Sequence, residues 1–399
     1  MVKDDPTIGL YGIGGVYNYG CEAIVRGTEI ILRDIWPDVH IKYASLRPED
    51  DKNRLKGCDI EVVPRKFHSF GSIQRLNGLM AYQTGLYSEK IFQEDLGWIK
   101  DCDAIFSIGG DLYTLPPKYD PKKRYYNPLI HFGEFVKSHG KKLVVWGASI
   151  GPFEGYPNAK KAFVNHLSHV DLITSREPVT TRYLKDLGIK NVIEFADPAF
   201  SVPKQDYIKK ASNKLHIGIN LSPLSTIYSF KSDRNAAIKS QADLITELIE
   251  HFDAQITLIP HVVCDFDTND DDMRYLKLIK SQIAKNVIER VDLVEGDVGF
   301  VKTKEILSTC DVVIAARMHC AVNAVSIGVP TLFLAYSKKA CGMAEYVYGN
   351  HKWLVSLKDL RNQDIIGLIN KILDEKGDLF KELNMPNEVS LKILESVMD

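Results

Sequence analysis

No stretch of the chain is apolar for long enough to cross a bilayer, and its opening, MVKDDPTIGLYGIGG, lacks the apolar core of a signal peptide. Cysteine is sparse: the seven residues (Cys21, Cys58, Cys102, Cys264, Cys310, Cys320 and Cys341) form no CxxC pair and no Cys/His spacing suited to zinc. An odd, scattered set reads as buried thiols in a reducing compartment, so the expected location is cytoplasmic. Charge of one sign is also lacking. A formal net charge of -2 gives no broad basic field, and nucleic acid is not an expected partner. The signatures G-x-S-x-G, H-E-x-x-H and the P-loop do not occur. The dinucleotide fingerprint fails because Tyr17 stands at the third glycine position after Gly12 and Gly14, so no nicotinamide or flavin cofactor is expected. The acidic run from Asp265 to Asp272 is no calcium loop, since Asp270 holds the glycine position and Leu276 the final glutamate position. It reads as a solvated helix start, and no metal is expected.

What the chain does have is a globular composition, 45% hydrophobic and 26% charged, which argues against disorder. Its 399 residues exceed one ordinary core. Periodicity fades between Asp197 and Lys214, around Pro198 and Pro203, which divides the chain into residues 1–205 and 206–399. Short apolar runs read as strands at Thr7 to Ile13, Ile41 to Leu46, Ile60 to Pro64, Ala104 to Ile108, Leu143 to Gly147 and Leu172 to Ser175. In the second half they fall at His216 to Leu221, Gln255 to Pro260, Val312 to Ala316 and Thr331 to Ala335. Helical spacing alternates with them, including Cys21 to Ile35, Asn235 to Phe252, Met273 to Ala284, Ala321 to Ile327, Leu357 to Asp374 and Glu388 to Val397. The alternation predicts an α/β fold of two doubly wound Rossmann-like domains facing a cleft. The last helix is expected to return to the N-terminal domain.

Ligands in open α/β sheets bind beyond the carboxyl ends of the strands, so the polar residues there are the candidates. After the first strand comes GGVYNYGCE, with Asn18, Gly20 and Glu22 beside a helix start; a tight turn without a ligand is the alternative reading. Ile108 leads into Gly109, Gly110 and Asp111, a carboxylate able to accept hydroxyl hydrogen bonds. Ser175 leads into Arg176 and Glu177, then Pro178 at a helix start. Lys118 to Arg124 is a basic, aromatic loop that reads as solvated, with guidance of an acidic substrate as the rival. In DVVIAARMHCAVNAVSIGVPTLFLAY, from Asp311 to Tyr336, Arg317 and His319 stand where a strand hands over to a helix, spaced to share one face of an extended chain. A structural ion pair is the bland reading of such an arginine, and an anion site the sharper one.

The pieces GGVYNYGCEAI, SIGGDLY, GASIGP, TSREPVT, FADPAF, ARMHCAVNAVSIGVPTLFLAYSKK and the Gly342-Met343 pair together resemble the polysaccharide pyruvyl transferase family, in order and from about Gly9 to Met343. The resemblance implies a fold similar to the two-domain GT-B glycosyltransferases. It also implies transfer of a pyruvyl group from phosphoenolpyruvate to two hydroxyls of a sugar, as a cyclic ketal on a capsule, exopolysaccharide or cell-wall glycan. No cofactor follows; phosphoenolpyruvate is the donor substrate. By the same resemblance Arg176, Arg317 and His319 gather the donor's phosphate and carboxylate. Asn18, Gly20, Glu22, Gly109, Gly110, Asp111, Glu177, Ser337 and Lys338 complete the substrate-binding set, the first domain taking the acceptor and the second the donor. The implied acceptor is a sugar or lipid-linked oligosaccharide, which would bring the protein into peripheral contact with the inner face of the membrane. One departure stands out: Cys21 replaces the aspartate of the family's N-x-G-D-E-A pattern. The alternatives are a GT-B glycosyltransferase using a nucleotide sugar and a non-catalytic anion- or glycan-binding relative. Nothing in the sequence speaks to oligomeric state.

Overall fold

A computed structural model describes residues 5–115, 124–203, 214–229, 233–335, 338–360, 363–380 and 388–398. The expected domain boundary, most of the Lys118 to Arg124 loop, and Ser337 fall outside them. The chain forms two compact units, one of Met1–Val16, Ile24–Ser201 and Asn384–Asp399, the other of Tyr17–Ala23 and Val202–Leu383. Sequence periodicity assigned 17–23 to the first half, whereas its contacts belong to the second unit. Helix α14 (Glu388–Met398) belongs to the first.

In chain order the first unit contains β1 (Thr7–Tyr11), β2 (His40–Ser45), β3 (Glu61–Pro64), β4 (Lys66–Phe67), β5 (Glu94–Asp95), β6 (Ala104–Ile108), β7 (Lys142–Ala148), β8 (Leu172–Ser175) and β9 (Val192–Glu194). Its helices are α2 (Pro48–Arg54), α3 (Ile73–Thr84), α4 (Pro128–Ser138), α5 (Pro157–Leu167) and α6 (Pro178–Asp186), with α1 (Tyr19–Ile35) running into it. Seven strands form one parallel sheet in the order β3-β2-β1-β6-β7-β8-β9, and β4 pairs with β5 in a separate antiparallel ladder. The order reverses direction between β1 and β6, a topological switch point. Every residue of β6 is buried, as a parallel strand covered on both faces requires. Gly12 follows β1 at a φ of 137°, and a Cβ there would meet the Ile108 carbonyl oxygen at 2.5 Å, so only glycine fits this crossing. Proline opens α4, α5 and α6, where a missing N–H costs nothing.

The second unit contains β10 (His216–Asn220), β11 (Gln255–Leu258), β12 (Val291–Leu293), β13 (Val312–Ala315), β14 (Thr331–Ala335) and β15 (Leu354–Ser356). Its helices are α7 (Pro223–Ser229), α8 (Arg234–Phe252), α9 (Asp272–Lys280), α10 (Gly299–Leu307), α11 (Met318–Val325), α12 (Lys338–Tyr348) and α13 (Ile365–Asp374). The parallel order β12-β11-β10-β13-β14-β15 places its switch point between β10 and β13. Ile217, Ile219, Ile256, Leu258, Val313 and Leu332 fill the sheet's faces.

Two local expectations change. Helix α11 begins at Met318 rather than Ala321, since the strand read as running to Ala316 ends at Ala315 and Arg317 already serves as the cap. Arg317 is therefore the extended cap residue and His319 lies in the first helical turn, so the two do not share a strand face. The segment between Gly71 and Gly97, to which periodicity assigns no strand or helix, contains the twelve-residue helix α3, capped by the Ser72 hydroxyl accepting from the Arg75 amide at 3.3 Å.

Candidate active site

In the second unit the site grows from the switch point. The Arg317 backbone N–H donates to Asn220 Oδ1 at 2.8 Å, and Asn220 Nδ2 donates to the Ile259 carbonyl at 2.9 Å. These bonds tie the ends of β10, β11 and β13 together. The Arg317 guanidinium then folds onto two carboxylates. Nε and Nη2 donate to Asp272 Oδ1 at 3.1 and 2.8 Å, and Nη2 also donates to Asp270 Oδ1 at 2.8 Å. Burial opposes the charge, but Asp272 and Asp270 outweigh it and hold Arg317 in its charged form, above its ordinary pKa. Nη1 receives no hydrogen-bond acceptor among the described residues, and the side chain retains 11% exposure.

The acidic run is thus more than a solvated helix start. Asp271 does cap α9, accepting from the Met273 N–H at 3.0 Å. Asp272, however, is wholly buried, where Oδ2 accepts from the backbone N–H groups of His261 (3.0 Å) and Val262 (3.1 Å). A buried carboxylate needs such partners, and Arg317 supplies the rest. Sequence pattern placed these aspartates on a surface because their partner lies far away in the chain.

His261, just beyond β11, escaped the sequence reading, although the strand-end rule applied to β11 points to it. It is 1% exposed, and burial, followed by electrostatic interaction with His319 and Arg317, pushes its pKa well below the ordinary value. The imidazole is neutral, and its Nε2 has no hydrogen-bond partner among the described residues. Its carbonyl accepts from the Tyr19 N–H at 3.0 Å, and its ring lies 5.5 Å from that of Tyr19.

The segment Tyr17–Ala23 packs directly on this cluster. A Cβ at Gly20 would lie 2.5 Å from His319 Nδ1, so the imidazole stands against bare backbone. Asn18 Oδ1 accepts from the Gly20 N–H at 2.9 Å and caps α1, while Glu22 Oε2 accepts from the Phe300 N–H at 2.9 Å near the start of α10. The sequence reading made Asn18 and Glu22 substrate ligands; in the structure both carboxyl or amide groups serve helix starts. Cys21, in the same turn, is half-buried and forms no disulfide. Lys338 is the first residue of α12.

The first unit assembles a different cluster. Arg176 follows β8 with no exposure at all. Nε donates to Ser149 Oγ at 2.9 Å, Nη1 to Asp197 Oδ2 at 2.9 Å and Nη2 to Asp111 Oδ1 at 2.8 Å. It therefore spans the loops after β6, β7 and β9. Gly110 is pressed against it so closely that a Cβ would fall 1.8 Å from Nη1. Gly109 turns the chain there at a φ of 132°. Asp111 keeps 52% of its side chain exposed, whereas Asp197 keeps none. Glu177 accepts from the Thr180 N–H at 3.1 Å and caps α6, a role set by its position before Pro178. The sequence reading gave Arg176 an anion to hold; the structure gives it two aspartates and a serine.

Among the described residues, no group of three or more His, Cys, Asp or Glu is arranged to hold a metal ion. None of the described helices is long and apolar enough to cross a membrane.

Solved structures share this architecture. The UDP-GlcNAc 2-epimerase of Methanocaldococcus jannaschii matches with a TM-score of 0.57 at 12% identity, covering 98% of each chain. HepE of Anabaena, solved with UDP and glucose, matches with a TM-score of 0.56 at 14% identity, covering 98% of this chain and 99% of its own. The fold is thus α/β, of the GT-B-like type with two Rossmann-like sheets. Residues 18–338 match the model of the polysaccharide pyruvyl transferase family, and the chain belongs to that family. It is also 22% identical over 322 residues to the amylovoran biosynthesis protein AmsJ of Erwinia amylovora, covering 75% of this chain and 74% of that one.

Proposed function

We propose that this family member moves a pyruvyl group from phosphoenolpyruvate onto two hydroxyls of one sugar in a surface polysaccharide or its lipid-linked precursor, forming a cyclic ketal. The observation that carries the reading is the Arg317–His319 pair at the second switch point, with a charged guanidinium edge and an imidazole two positions apart at the N-terminus of α11. A small polyanion suits such a place. The Nη1 edge offers charge-assisted hydrogen bonds, and the helix end adds its positive dipole.

The chemistry follows from the donor. His319 gives a proton to the vinyl carbon of phosphoenolpyruvate, which becomes a methyl group and leaves a cation at the adjacent carbon. One sugar hydroxyl attacks that carbon, and its proton returns to the imidazole. Phosphate then leaves by C–O cleavage, and the second hydroxyl takes its place, its proton balancing the departing phosphate. Arg317 stabilises the phosphate as charge collects on it. Asp270 and Asp272 fix the direction of the guanidinium, and the neutral His261 adds no further positive charge to the cluster. In this scheme Arg176 is a positioning residue that holds the half-exposed Asp111 carboxylate as a hydrogen-bond acceptor. Action at the cytoplasmic face, where phosphoenolpyruvate is made, is part of the same proposal.

The test is incubation of the purified chain with phosphoenolpyruvate and a panel of glycans and lipid-linked oligosaccharides, reading phosphate release and the mass gain of a ketal. Release coupled to mass gain supports the reading. Thermal stabilisation by UDP- or GDP-sugars and none by phosphoenolpyruvate sinks it in favour of a glycosyltransferase. Binding of phosphoenolpyruvate with no turnover on any acceptor points instead to a non-catalytic relative.

A further inference from the structure

Helix α3 turns its sides the unexpected way round. Its buried residues are Asn77, Gly78 and Ala81, while Ile73, Leu76, Leu79 and Met80 are 69%, 55%, 54% and 47% exposed. This orientation is fixed by contacts. Asn77 Nδ2 donates to the Ile91 carbonyl at 2.8 Å, Asn77 Oδ1 accepts from the Ser88 N–H at 3.1 Å, and Gly78 lies beneath Gln93. The outward residues fall at helical spacing and form one stripe. Phe67, Phe70 and Tyr82, at 46%, 90% and 81% exposure, extend it with aromatic rings. Soluble monomers rarely leave so much contiguous apolar surface to water.

Charge says what covers it. From Arg65 to Leu86 the chain has no aspartate or glutamate; Arg75 stands within the patch, and Lys66 lies at its edge, opposite Asp95 in the β4–β5 ladder. Arg75 lies 5.2 Å from the Phe67 ring centroid and 4.9 Å from that of Phe70, a cationic group on an aromatic edge. A protein partner would want about one hydrogen bond per 100–200 Å² of contact, yet apart from Tyr82 the stripe offers only hydrocarbon and aromatic side chains. A lipid boundary asks for none.

We propose that α3, with Phe67 and Phe70, is a membrane-docking face that lies in the headgroup–acyl boundary of an anionic lipid leaflet. The apolar stripe enters the acyl region by roughly 5–10 Å, and Lys66 and Arg75 remain at the headgroups. The docking itself does not rest on pyruvyl transfer. Joined to that reading, it gives a lipid-linked acceptor a surface on which to meet the enzyme.

The experiment is co-sedimentation of the full chain with vesicles of phosphatidylcholine alone and of phosphatidylcholine mixed equally with phosphatidylglycerol. The expected result is binding to the anionic vesicles, weakened by salt. The double variant Leu76→Glu/Leu79→Glu lowers the partition coefficient roughly a hundredfold, each buried leucine being worth about a factor of ten or more. Arg75→Gln lowers it about fivefold at low salt. Because these side chains are exposed, the melting temperature and turnover on a water-soluble acceptor stay at wild-type values. Equal sedimentation of wild type and double variant overturns the proposal. So does a dimer in size exclusion that Leu76→Glu splits, with no vesicle binding, which would make the patch a self-association face. Absence of pyruvyl transfer in the wild type leaves the vesicle result standing.

Discussion

Arg176 and Arg317 are alike in sequence context and unlike in use. Each follows a strand of a parallel sheet and each is held by two aspartates; a glycine is pressed against Arg176 itself, and another against His319, two residues beyond Arg317. Arg176 is wholly enclosed by Asp197, Asp111 and Ser149. Arg317 keeps one edge open, with His319 beside it and the neutral His261 beneath. The difference teaches that a strand-end arginine is not itself an anion site. What matters is whether its carboxylates leave donors over.

The sharpest way to break the comparison is to disable each cluster. His319→Ala should lower kcat by about 10²- to 10⁴-fold, the usual worth of a general acid or base, while urea melts move by less than about 1 kcal/mol. A loss under threefold in the folded variant removes His319 from the proton transfers. Arg176→Met should instead destabilise the fold by about 3–5 kcal/mol, because the buried Asp197 carboxylate loses the positive charge that offsets its own. Arg176→Met/Asp197→Leu should recover most of that stability. If the double variant is no more stable than the single one, the ion pair is not what holds those loops.

The second prediction uses the buried histidines. Burial, followed by His169, pushes the His166 pKa down to about 4 in the first unit, and His261 in the second is also held well below its ordinary value. Above about pH 6.5 the imidazole is neutral whether the chain is folded or not, so it adds no pH dependence. Between about 6.5 and 4 the unfolded chain takes up the proton and the folded chain does not, so stability falls as pH falls. For His166 the loss is roughly 3 kcal/mol over that interval. Denaturant titrations of His166→Phe should show a flatter acid limb than wild type. An unchanged slope assigns the acid sensitivity elsewhere.

The smallest effect separates the two glycines. Gly20→Ala drives a methyl into His319 Nδ1, and we expect kcat to fall roughly tenfold with stability nearly unchanged, since the imidazole can move. Gly110→Ala meets the enclosed Arg176 and should cost about 1–3 kcal/mol of stability. Steady-state kinetics and thermal melts on the pair decide it. Reversed outcomes would exchange the roles given to the two clusters.

Much of the fold was legible in the chain. The strands Ala104–Ile108, Leu172–Ser175 and Thr331–Ala335 have the bounds their largely apolar runs predict, because a parallel strand buried on both faces carries few polar side chains. Arg317 and His319 stand out as candidates for the complementary reason: polar residues beside such a run need a purpose. Helix α3 was not, since its apolar spacing faces outward and the surrounding Gly, Ser and Gln residues dilute the pattern.

By itself, then, the sequence determined the alternation of strands and helices, the family motifs and the strand ends where chemistry could sit, all of which are local and periodic. Only the tertiary structure decided that Asp272 lies buried under Arg317, 45 residues away in the chain, that Gly20 makes room for His319, and that Arg176 is enclosed. Those outcomes depend on pairs of residues distant in the chain, and the free energy of a buried charge is set by its partner rather than by its neighbours in sequence.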